Sequence, residues 1–545
     1  MSLTCSMPRT TATPVAGSRS RTERMAWLDA LLVLGLSFAF LRLLPDSFSV
    51  YDEGTLADTA ERVYRGEVLY RDVFAYWNPG GFWLGALLFK LAGVSVQTLR
   101  ISLAVFGAAA AVGVWRLARD HTGRILAVLA GLCAPLVCYP VWYEASSHWY
   151  STFTGIAAAV ALTRCFSGRH MSLAVFTTGV LCAITFIMLQ PVGAFLSAAI
   201  GIALVWDGAW ALAPRAAAKR LALLAFGALV PIAAMYGYFA FKGALGAMLY
   251  DTILFNLHNY RSTLHADYGY SGPWPRADRP FLLTRKSLML VPPSAYLLAL
   301  ALAVARYVRG KFVEEDRRLL ALAATGAGLL ASNYYYPDAV HLAFAAPPAF
   351  ATLAVLLARL GSTRWGRLPE HAGSTLLLLL LLFAGAGYLR HYRSQYTAEF
   401  RTPRGTIAVP PVLVPHFQEV FAYFEGHLPR GNPFYVYPYG AGYNFLFVRP
   451  NPTRYAAVFP NVPGLTTEQD LAEVVSALEH KQVRYILVNP ILYGRGFLER
   501  NNTILERYIR RYYHVAKDTP PSSLFLERDS PGNRGEKIHY HAYRR

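Results

Sequence analysis

Residues 26–54 read AWLDALLVLGLSFAFLRLLPDSFSVYDEG, a mostly apolar run that is followed by a pair of carboxylates. The stretch 26–45 is mostly apolar, and an α-helix needs about 20 such residues to cross the hydrocarbon core of a bilayer. Four arginines precede this run, and no small-residue cleavage site follows it. The run therefore predicts an uncleaved first membrane helix with a cytoplasmic N-terminal tail, residues 1–25. Tyr51-Asp52-Glu53-Gly54 then sets two carboxylates just outside the far end of that helix.

The composition of the whole chain supports a membrane protein. Of its 545 residues 54% are hydrophobic and only 16% are charged, whereas about a quarter of a soluble protein is charged. This balance excludes a soluble enzyme, a disordered chain and a fibrous chain. The 52 Lys and Arg residues exceed the 33 Asp and Glu residues, but the cations lie in gaps between apolar runs. The excess therefore indicates no nucleic-acid partner and agrees with contact with membrane lipids.

The apolar runs predict a polytopic α-helical membrane protein with about eleven transmembrane helices and interfacial helices. Residues 79–93 are apolar over only about 15 residues, so we expect them to lie in the outer interface rather than to cross. Every short basic loop then becomes cytoplasmic, as the positive-inside rule requires. The spans after the first helix are predicted at 98–117, 125–139, 149–162, 171–188, 192–212, 221–241, 287–305, 319–331, 342–358 and 374–388. Residues 26–389 form the transmembrane domain, which we place in the inner (plasma) membrane.

The composition changes after residue 389. Residues 390–545 are rich in Pro, Tyr, Asn and charge, with strand-like runs at 434–437 and 484–488. Between these runs, 468–480 has the apolar spacing of an amphipathic helix. About 150 residues are enough to bury a core, so the tail is predicted to be an external, periplasmic or extracellular, α/β domain.

Several ionisable residues lie in the predicted outer loops rather than in the spans. Glu144 and His148 lie in a short second loop, and Asp338 and His341 in a later one. Such groups are costly near a bilayer unless they are paired or face a wet cavity, so they suggest a functional site. Each alone can also be an interfacial polar residue, and the Asp52-Glu53 pair can also be a pair of solvated helix caps.

The long loop 242–286 holds Asn256 and Arg261, with further arginines after them. Cations on the outer side run against the positive-inside bias, and a lipid phosphate would explain them. The alternative is a solvated loop whose tyrosines and tryptophan belong to an interfacial aromatic belt.

Three stretches carry a resemblance to a known family. Tyr51-Asp52-Glu53-Gly54, then Leu69-Tyr70-Arg71-Asp72 followed by Trp77-Asn78-Pro79-Gly80-Gly81, and the turn at 93–100 resemble the GT-C glycosyltransferases. These are polytopic enzymes that use polyprenyl-phosphate sugars, and they include protein O-mannosyltransferases and the aminoarabinose transferases of lipid A. The resemblance implies a GT-C-like transmembrane domain.

The resemblance also implies roles for single residues. Asp52 matches the acidic residue beside the acceptor, Glu53 is its common neighbour, and Glu144 stands where the family usually has Asp. Asp52 and Glu144 are the expected ligands of a divalent metal, Mg or Mn, if one takes part. We expect Asp52, rather than Glu53, to face the reacting centre, because adjacent side chains point in different directions. The residues expected to bind substrate are Tyr76, Asn78, His148, Asn256, Arg261, Asp338 and His341.

The expected function is transfer of a sugar, a hexose or a pentose, from a polyprenyl-phosphate donor. The acceptor is a lipid, a glycan or a protein on the outer face, and a single displacement would invert the anomeric centre. A transporter or flippase for a lipid-linked glycan is the alternative. Transporters place ionisable residues near the bilayer midplane, whereas here the acidic residues cluster outside the spans, which favours an enzyme. A third possibility, an anchored binding module, would not need so many spans.

Overall fold

A computed structural model describes residues 16–165, 171–210, 213–260, 266–270, 279–361, 366–460, 462, 464–489, 498, 501–519 and 523–529. Helices fill the described chain up to residue 395, and all of the named β-strands come after it. The α-helices described in this first part are α1 Ala16–Leu43, α2 Asp52–Tyr64, α3 Gly80–Ala92, α4 Val96–Arg119, α5 Arg124–Cys133, α6 Ser147–Arg164, α7 Met171–Met188, α8 Gln190–Trp210, α9 Pro214–Phe241, α10 Leu245–Leu249, α11 Arg279–Val308, α12 Glu314–Ala331, α13 Ala339–Ala345, α14 Pro347–Gly361 and α15 Leu368–Gln395.

The prediction of a polytopic helical membrane fold is confirmed, although with fewer spans. Within the described ranges, eight helices are long and apolar enough to cross a bilayer. A ninth span results if α13 and α14, which are bent by 59° at their junction, count as one. Two of the predicted spans correspond to α6 and α12, which are helices of 18 residues with polar first turns. Most of α6 is buried against neighbouring helices, so it can be less apolar than a helix that faces lipid.

Helix α3 is the segment that we expected to lie in the interface. Its 13 residues extend over about 20 Å at 1.5 Å per residue, which is less than the hydrocarbon thickness of about 30 Å. Leu87 and Leu91 on this helix are exposed. Such a length and such a surface agree with an interfacial position, which stays a prediction.

The tail is an α/β unit, as the sequence predicted. A hairpin of β1 (Ala398–Thr402) and β2 (Gly405–Val409) precedes a four-stranded sheet of order β3-β4-β6-β5. In that sheet β3 and β4 are parallel, and the other neighbouring pairs are antiparallel. The sheet strands and the tail helices are β3 Tyr435–Tyr437, β4 Tyr485–Val488, β5 Tyr513–Thr519, β6 Ser523–Arg528, α16 Val414–His427, α17 Gly442–Phe447, α18 Glu468–His480 and α19 Ile504–Tyr512. The predicted strands and the predicted helix at 468–480 are confirmed.

The tail packs directly on the membrane helices. The hairpin contacts the start of α4, where the Val96 backbone N–H donates to the Arg404 carbonyl at 3.0 Å and the Gln97 amide donates to the Thr406 carbonyl at 2.8 Å. A second contact joins the N-terminus of α17 to the chain before α2, where the Gly442 N–H donates to the Val50 carbonyl at 2.9 Å. A Cβ atom on Gly54 would lie 2.5 Å from the Gly442 Cα, so glycine is required for this approach.

Candidate active site

The acidic pair of the first outer loop opens helix α2. Asp52 and Glu53 occupy its first turn, where the exposed backbone N–H groups stabilise negative charge. Successive residues of a helix point in directions about 100° apart, so the two carboxylates meet different surroundings. Glu53 faces α4 and is fully buried, whereas Asp52 remains accessible.

Glu53 forms a buried ion pair with Arg100. A guanidinium nitrogen of Arg100 lies 2.5 Å from Glu53 Oε2, and neither side chain is exposed to solvent. The other carboxylate oxygen of Glu53 accepts from the Ala145 N–H at 2.9 Å. Arg100 also donates to the Ser47 carbonyl and, at 2.7 Å, to the Tyr143 carbonyl. The pair thus ties α2 and α4 to the loop that carries Glu144.

Asp52 projects into a recess between the membrane helices and the tail. Its side chain is reachable from outside, but protein atoms surround it closely. This burial raises the pKa of Asp52, while the Tyr439 hydroxyl, which donates to Oδ1, and the neighbouring His341 act in the opposite direction. Tyr439 follows strand β3 directly, and Asn489 follows β4 and donates to the Tyr51 hydroxyl at 3.3 Å. The carboxyl ends of the two parallel strands therefore meet the start of α2.

Glu144 is close to the carboxylates of Asp52 and Glu53. Its Oε2 atom is buried and has no hydrogen-bond partner among the described residues. Burial, together with the nearby carboxylates of Glu53 and Asp52, raises the pKa of Glu144 well above its ordinary value. A carboxyl group in these surroundings is either protonated or neutralised by a bound cation.

The two predicted histidines come together. His341 Nδ1 lies 2.7 Å from Asp338 Oδ1, and the same oxygen accepts from the His341 backbone N–H at 2.8 Å, so Asp338 caps α13 and orients the imidazole. The His148 ring lies 5.1 Å from the His341 ring and is stacked on Phe344 at 4.5 Å between centroids. The N-terminal ends of α6 and α13 therefore present their histidines to one place.

The main chain at Tyr76 is held by hydrogen bonds from amide side chains. Asn256 and Gln190 both donate to the Tyr76 carbonyl, at 2.8 and 2.7 Å. Asn78 donates through its side chain to the Phe186 carbonyl at 2.8 Å and through its backbone to Gln190 at 3.1 Å. The Tyr76 hydroxyl is close enough to Asp52 for that carboxylate to raise its pKa, together with burial. Asn78 and Asn256 thus fix the chain beside Asp52 through main-chain contacts.

The remaining predicted substrate ligand, Arg261, lies outside the described residues. Arg454 of the tail supplies a cation beside the long loop 242–286. Its guanidinium donates to the Tyr70 carbonyl at 2.7 Å and to Asp251 of that loop at 3.1 Å. Asp251 is 2% exposed at its side chain, so this ion pair forms a buried bridge between the tail and the membrane module.

An aromatic cavity opens beside Asp52, between α2, the loop before α3 and the tail. Its volume, including the open mouth, is about 660 Å³, and its lining includes Tyr439, the residue whose hydroxyl donates to Asp52. The lining consists of Thr55, Thr59, Phe74, Ala75, Tyr76, Trp77, Phe82, Tyr439, Tyr455, Ala456, Ala457, Phe459, Leu465, Thr466 and Asp470. The set combines aromatic rings with threonine and tyrosine hydroxyls and the carboxylate of Asp470.

Comparison of the whole chain with solved structures places this arrangement in a known fold. ArnT from Cupriavidus metallidurans in the apo state matches with a TM-score of 0.56 and 12% identity, over 93% of this chain and 98% of that chain. The same protein bound to undecaprenyl phosphate matches at 0.53 with 14% identity, over 92% and 97%. An Archaeoglobus fulgidus oligosaccharyltransferase in complex with zinc and sulfate matches at 0.50 with 12% identity, over 91% and 73%.

The protein has the GT-C fold. No protein-family model and no curated protein sequence matches the chain. The GT-C resemblance inferred from the first outer loop and the turn at 93–100 is confirmed by these structures at the level of the fold.

Within this GT-C fold, three residues at the site were not singled out from the sequence. Arg100 ends the third resembling stretch, and an arginine at the start of an apolar span is a signal of a buried partner. Gln190 precedes a proline between two spans, and its amide contacts the Tyr76 and Asn78 backbones. Tyr439 follows a predicted strand, and ligands in open α/β sheets bind beyond the carboxyl ends of the strands.

The predicted metal ligands do not form a complete metal site in the described part of the chain. Among the residues that the structure describes, no group of three or more His, Cys, Asp or Glu side chains could hold a metal ion. Asp52 and Glu144 remain as two nearby carboxylates, one of them with a buried oxygen that lacks a partner.

Proposed function

We propose that the protein is a membrane glycosyltransferase that transfers a sugar from a polyprenyl-phosphate donor to an acceptor on the outer face of the membrane. The observation that carries this proposal is the setting of Asp52, an accessible carboxylate that meets Tyr439 and His341 within a GT-C fold. Fold alone does not define an activity, so the proposal rests on the side chains at this place.

The proposed reaction is a single displacement. The acceptor oxygen or nitrogen bonds to the anomeric carbon as the bond from that carbon to the phosphate oxygen breaks, and the configuration inverts. Asp52 takes the proton of the acceptor. Its burial raises its pKa, which makes the carboxylate a better base at neutral pH than an exposed aspartate. Glu53, which is fully paired with Arg100, would act by positioning α2 rather than by contacting substrate.

The departing polyprenyl phosphate needs hydrogen-bond donors or positive charge. Asp338 binds Nδ1 of His341, which leaves Nε2 free to face the phosphate, and the His148 ring is adjacent. Hydrogen-bond donors placed here stabilise developing negative charge in a site from which water is excluded. We include Arg261 as a further phosphate ligand on the sequence argument alone. An ArnT structure holds undecaprenyl phosphate, which supports a lipid phosphate as the donor class.

The two carboxylates also fit a divalent metal. Mg²⁺ is usually held by one or two carboxylates with water and substrate phosphates, and Asp52 and Glu144, with its unpartnered Oε2, meet that requirement. When bound, Mg²⁺ or Mn²⁺ would neutralise charge on the phosphate.

The acceptor would enter the aromatic cavity. The threonine and tyrosine hydroxyls and the Asp470 carboxylate bring polar groups to a space that also has several aromatic walls, which suits a glycan, a lipid headgroup or a side chain of a protein. We further propose an inner-membrane protein with a cytoplasmic tail at 1–25, a transmembrane domain at 26–389 and a periplasmic domain at 390–545. On this topology the site faces the outer leaflet, where the donor lipid resides.

The test is release of the lipid phosphate. Purified protein would be incubated with a panel of polyprenyl-phosphate sugars and candidate acceptors, with and without Mg²⁺, and the free polyprenyl phosphate measured. We expect acceptor-dependent release from one donor class and loss of release in Asp52→Asn. If no donor is consumed but a lipid-linked glycan crosses the bilayer of proteoliposomes, the protein is a flippase and the proposal is wrong.

A further inference from the structure

A second cavity lies at the opposite end of α4 from the candidate site. It is a groove between α1, α4 and α6 with a volume of about 1120 Å³, including its open mouth. Arg100, near the start of α4, belongs to the candidate site, whereas the groove reaches Arg119 at the end of the same helix. These two residues are separated by about 28 Å along the helix axis. The arginines of the groove therefore cannot contact the phosphate of a donor that reacts at Asp52.

The walls of the groove are mostly apolar, and alanines on three helices open space along them. Ala30 of α1, Ala109 of α4 and Ala157 of α6 leave room for a narrow guest. The rest of the apolar lining consists of Ala26, Trp27, Val112, Gly113, Trp115, Phe153, Ile156 and Val160. All of these residues lie on helices, and α1 and α4 are among the candidate membrane spans. A guest that fits this space must itself be apolar and slender.

The length of the groove corresponds to the hydrocarbon thickness of one leaflet of a bilayer. From Ala109 to Arg119 the helix rises about 15 Å, and from Phe153 to Arg164 on α6 it rises about 16 Å. Half of the hydrocarbon thickness of a bilayer is about 15 Å. The apolar part therefore runs from the ends of α4 and α6 to about the middle of the membrane, which is the depth of one acyl chain.

Positive charge gathers at one end of the groove only. Arg116 and Arg119 lie in the last turn of α4, and Arg164 is the last residue of α6. Arg116 pairs with Asp120, but both side chains are about one-third exposed or more, so this pair is weak and screened. The Arg119 guanidinium lies over the Trp115 ring at 5.3 Å. The three cations thus lie where the headgroup of a lipid in the groove would be.

We propose that this groove binds an anionic phospholipid of the leaflet opposite the candidate active site. One acyl chain lies along the alanine-lined wall, and the phosphate contacts Arg116, Arg119 and Arg164. Charge complementarity selects the headgroup, because basic side chains at a membrane surface favour anionic lipids. This lipid site is independent of the proposed glycosyl transfer.

Native mass spectrometry of the delipidated, full-length protein tests the proposal. The protein would be titrated with phosphatidylglycerol and, separately, with phosphatidylcholine of the same acyl chains. We expect the anionic lipid to bind roughly tenfold more tightly or better, since each basic side chain contributes about fivefold near an anionic lipid. Arg116→Gln combined with Arg119→Gln should remove most of that preference, because only Arg164 is then left to favour the anionic lipid. Arg309→Gln combined with Lys311→Gln, in an exposed basic loop elsewhere, is the matched control and should retain it.

A second variant tests the apolar part of the groove. Ala157→Phe fills the groove without changing charge, and it should weaken the binding of both lipids. Thermal melting and a monodisperse elution profile show that each variant is folded. Equal affinity for the two lipids, unchanged preference in the double arginine variant, or unchanged binding in folded Ala157→Phe would each overturn the proposal. The protein could instead form a dimer in which a second copy of the chain fills the groove. If Ala157→Phe dissociated such a dimer and left lipid binding unchanged, the proposal would be wrong.

Discussion

The hydroxyl of Tyr439 donates a hydrogen bond to the Asp52 carboxylate, and 387 residues of chain separate the two. Asp52 begins α2, the short helix that follows the first candidate membrane span, whereas Tyr439 follows the first strand of the tail sheet. The candidate site is therefore completed only when the tail packs against the membrane helices. The close approach of Gly54 and Gly442 holds the two parts together at this point.

Asp52→Asn is the most direct test of the catalytic assignment. The substitution keeps the shape and removes the base, so we expect turnover to fall on the order of 100-fold to 10,000-fold. A purely structural helix-capping role predicts instead a loss of about 1 kcal/mol in stability with nearly full activity. Initial rates of lipid-phosphate release, measured per folded molecule, separate the two. Normal turnover in a folded Asp52→Asn protein would remove Asp52 from the mechanism.

Tyr439→Phe changes the basicity of Asp52 without touching its charge. The Tyr439 hydroxyl lowers the pKa of Asp52, which burial has raised, so its removal should raise that pKa further. The base acts only when ionised, and the acid limb of the kcat/KM profile should therefore move to higher pH. Rates measured from pH 5 to pH 9 would show the shift. Tyr435→Phe, in the same strand region but buried away from Asp52, should leave the profile in place.

Arg100→Met should destabilise the protein strongly. It leaves the Glu53 carboxylate buried without its cation, a change that typically costs about 3–5 kcal/mol. Adding Glu53→Gln removes the uncompensated charge, and the double variant should recover much of the loss. Thermal melting of the wild type, both single variants and the double variant gives the coupling between the two residues. Additive effects would show that the ion pair does not hold α2 against α4.

The helical module could be predicted from the sequence because apolar length and loop charge are local properties. Helices α6 and α12 are not among the candidate membrane helices, which are long and apolar, and the first turns of both contain polar residues; α6 is mostly buried by its neighbours, which a hydropathy pattern does not record. Asp52, His341 and Glu144 could be named as candidates because charged groups are costly near a bilayer, and their roles stay predictions. Arg100 and Tyr439 were missed because each acquires its role from a partner distant in the chain.

Cysteine labelling tests the predicted topology. Ser476 on α18 and Arg309 in a basic loop are both exposed, and the described cysteines are buried. Ser476→Cys should react with a membrane-impermeant maleimide added to intact cells, whereas Arg309→Cys should react only after the membrane is opened. Cys5 would be replaced by Ser in both proteins. Reaction of Arg309→Cys from outside would place this basic loop on the outer face of the membrane and overturn the predicted topology.

Asp251 makes the junction between the tail and the membrane module depend on pH. Its burial raises its pKa to about 7 despite Arg454, so its contribution to stability is full below about pH 4 and is lost as the pH rises through about 7. Asp251→Asn should therefore gain melting temperature relative to the wild type between pH 5 and pH 8. Asp72, whose pKa is lowered by the side chain of Arg71, is the control, because it stays ionised over this range. Asp72→Asn should differ from the wild type by a constant amount, and a constant difference for Asp251→Asn as well would show that Asp251 does not titrate there.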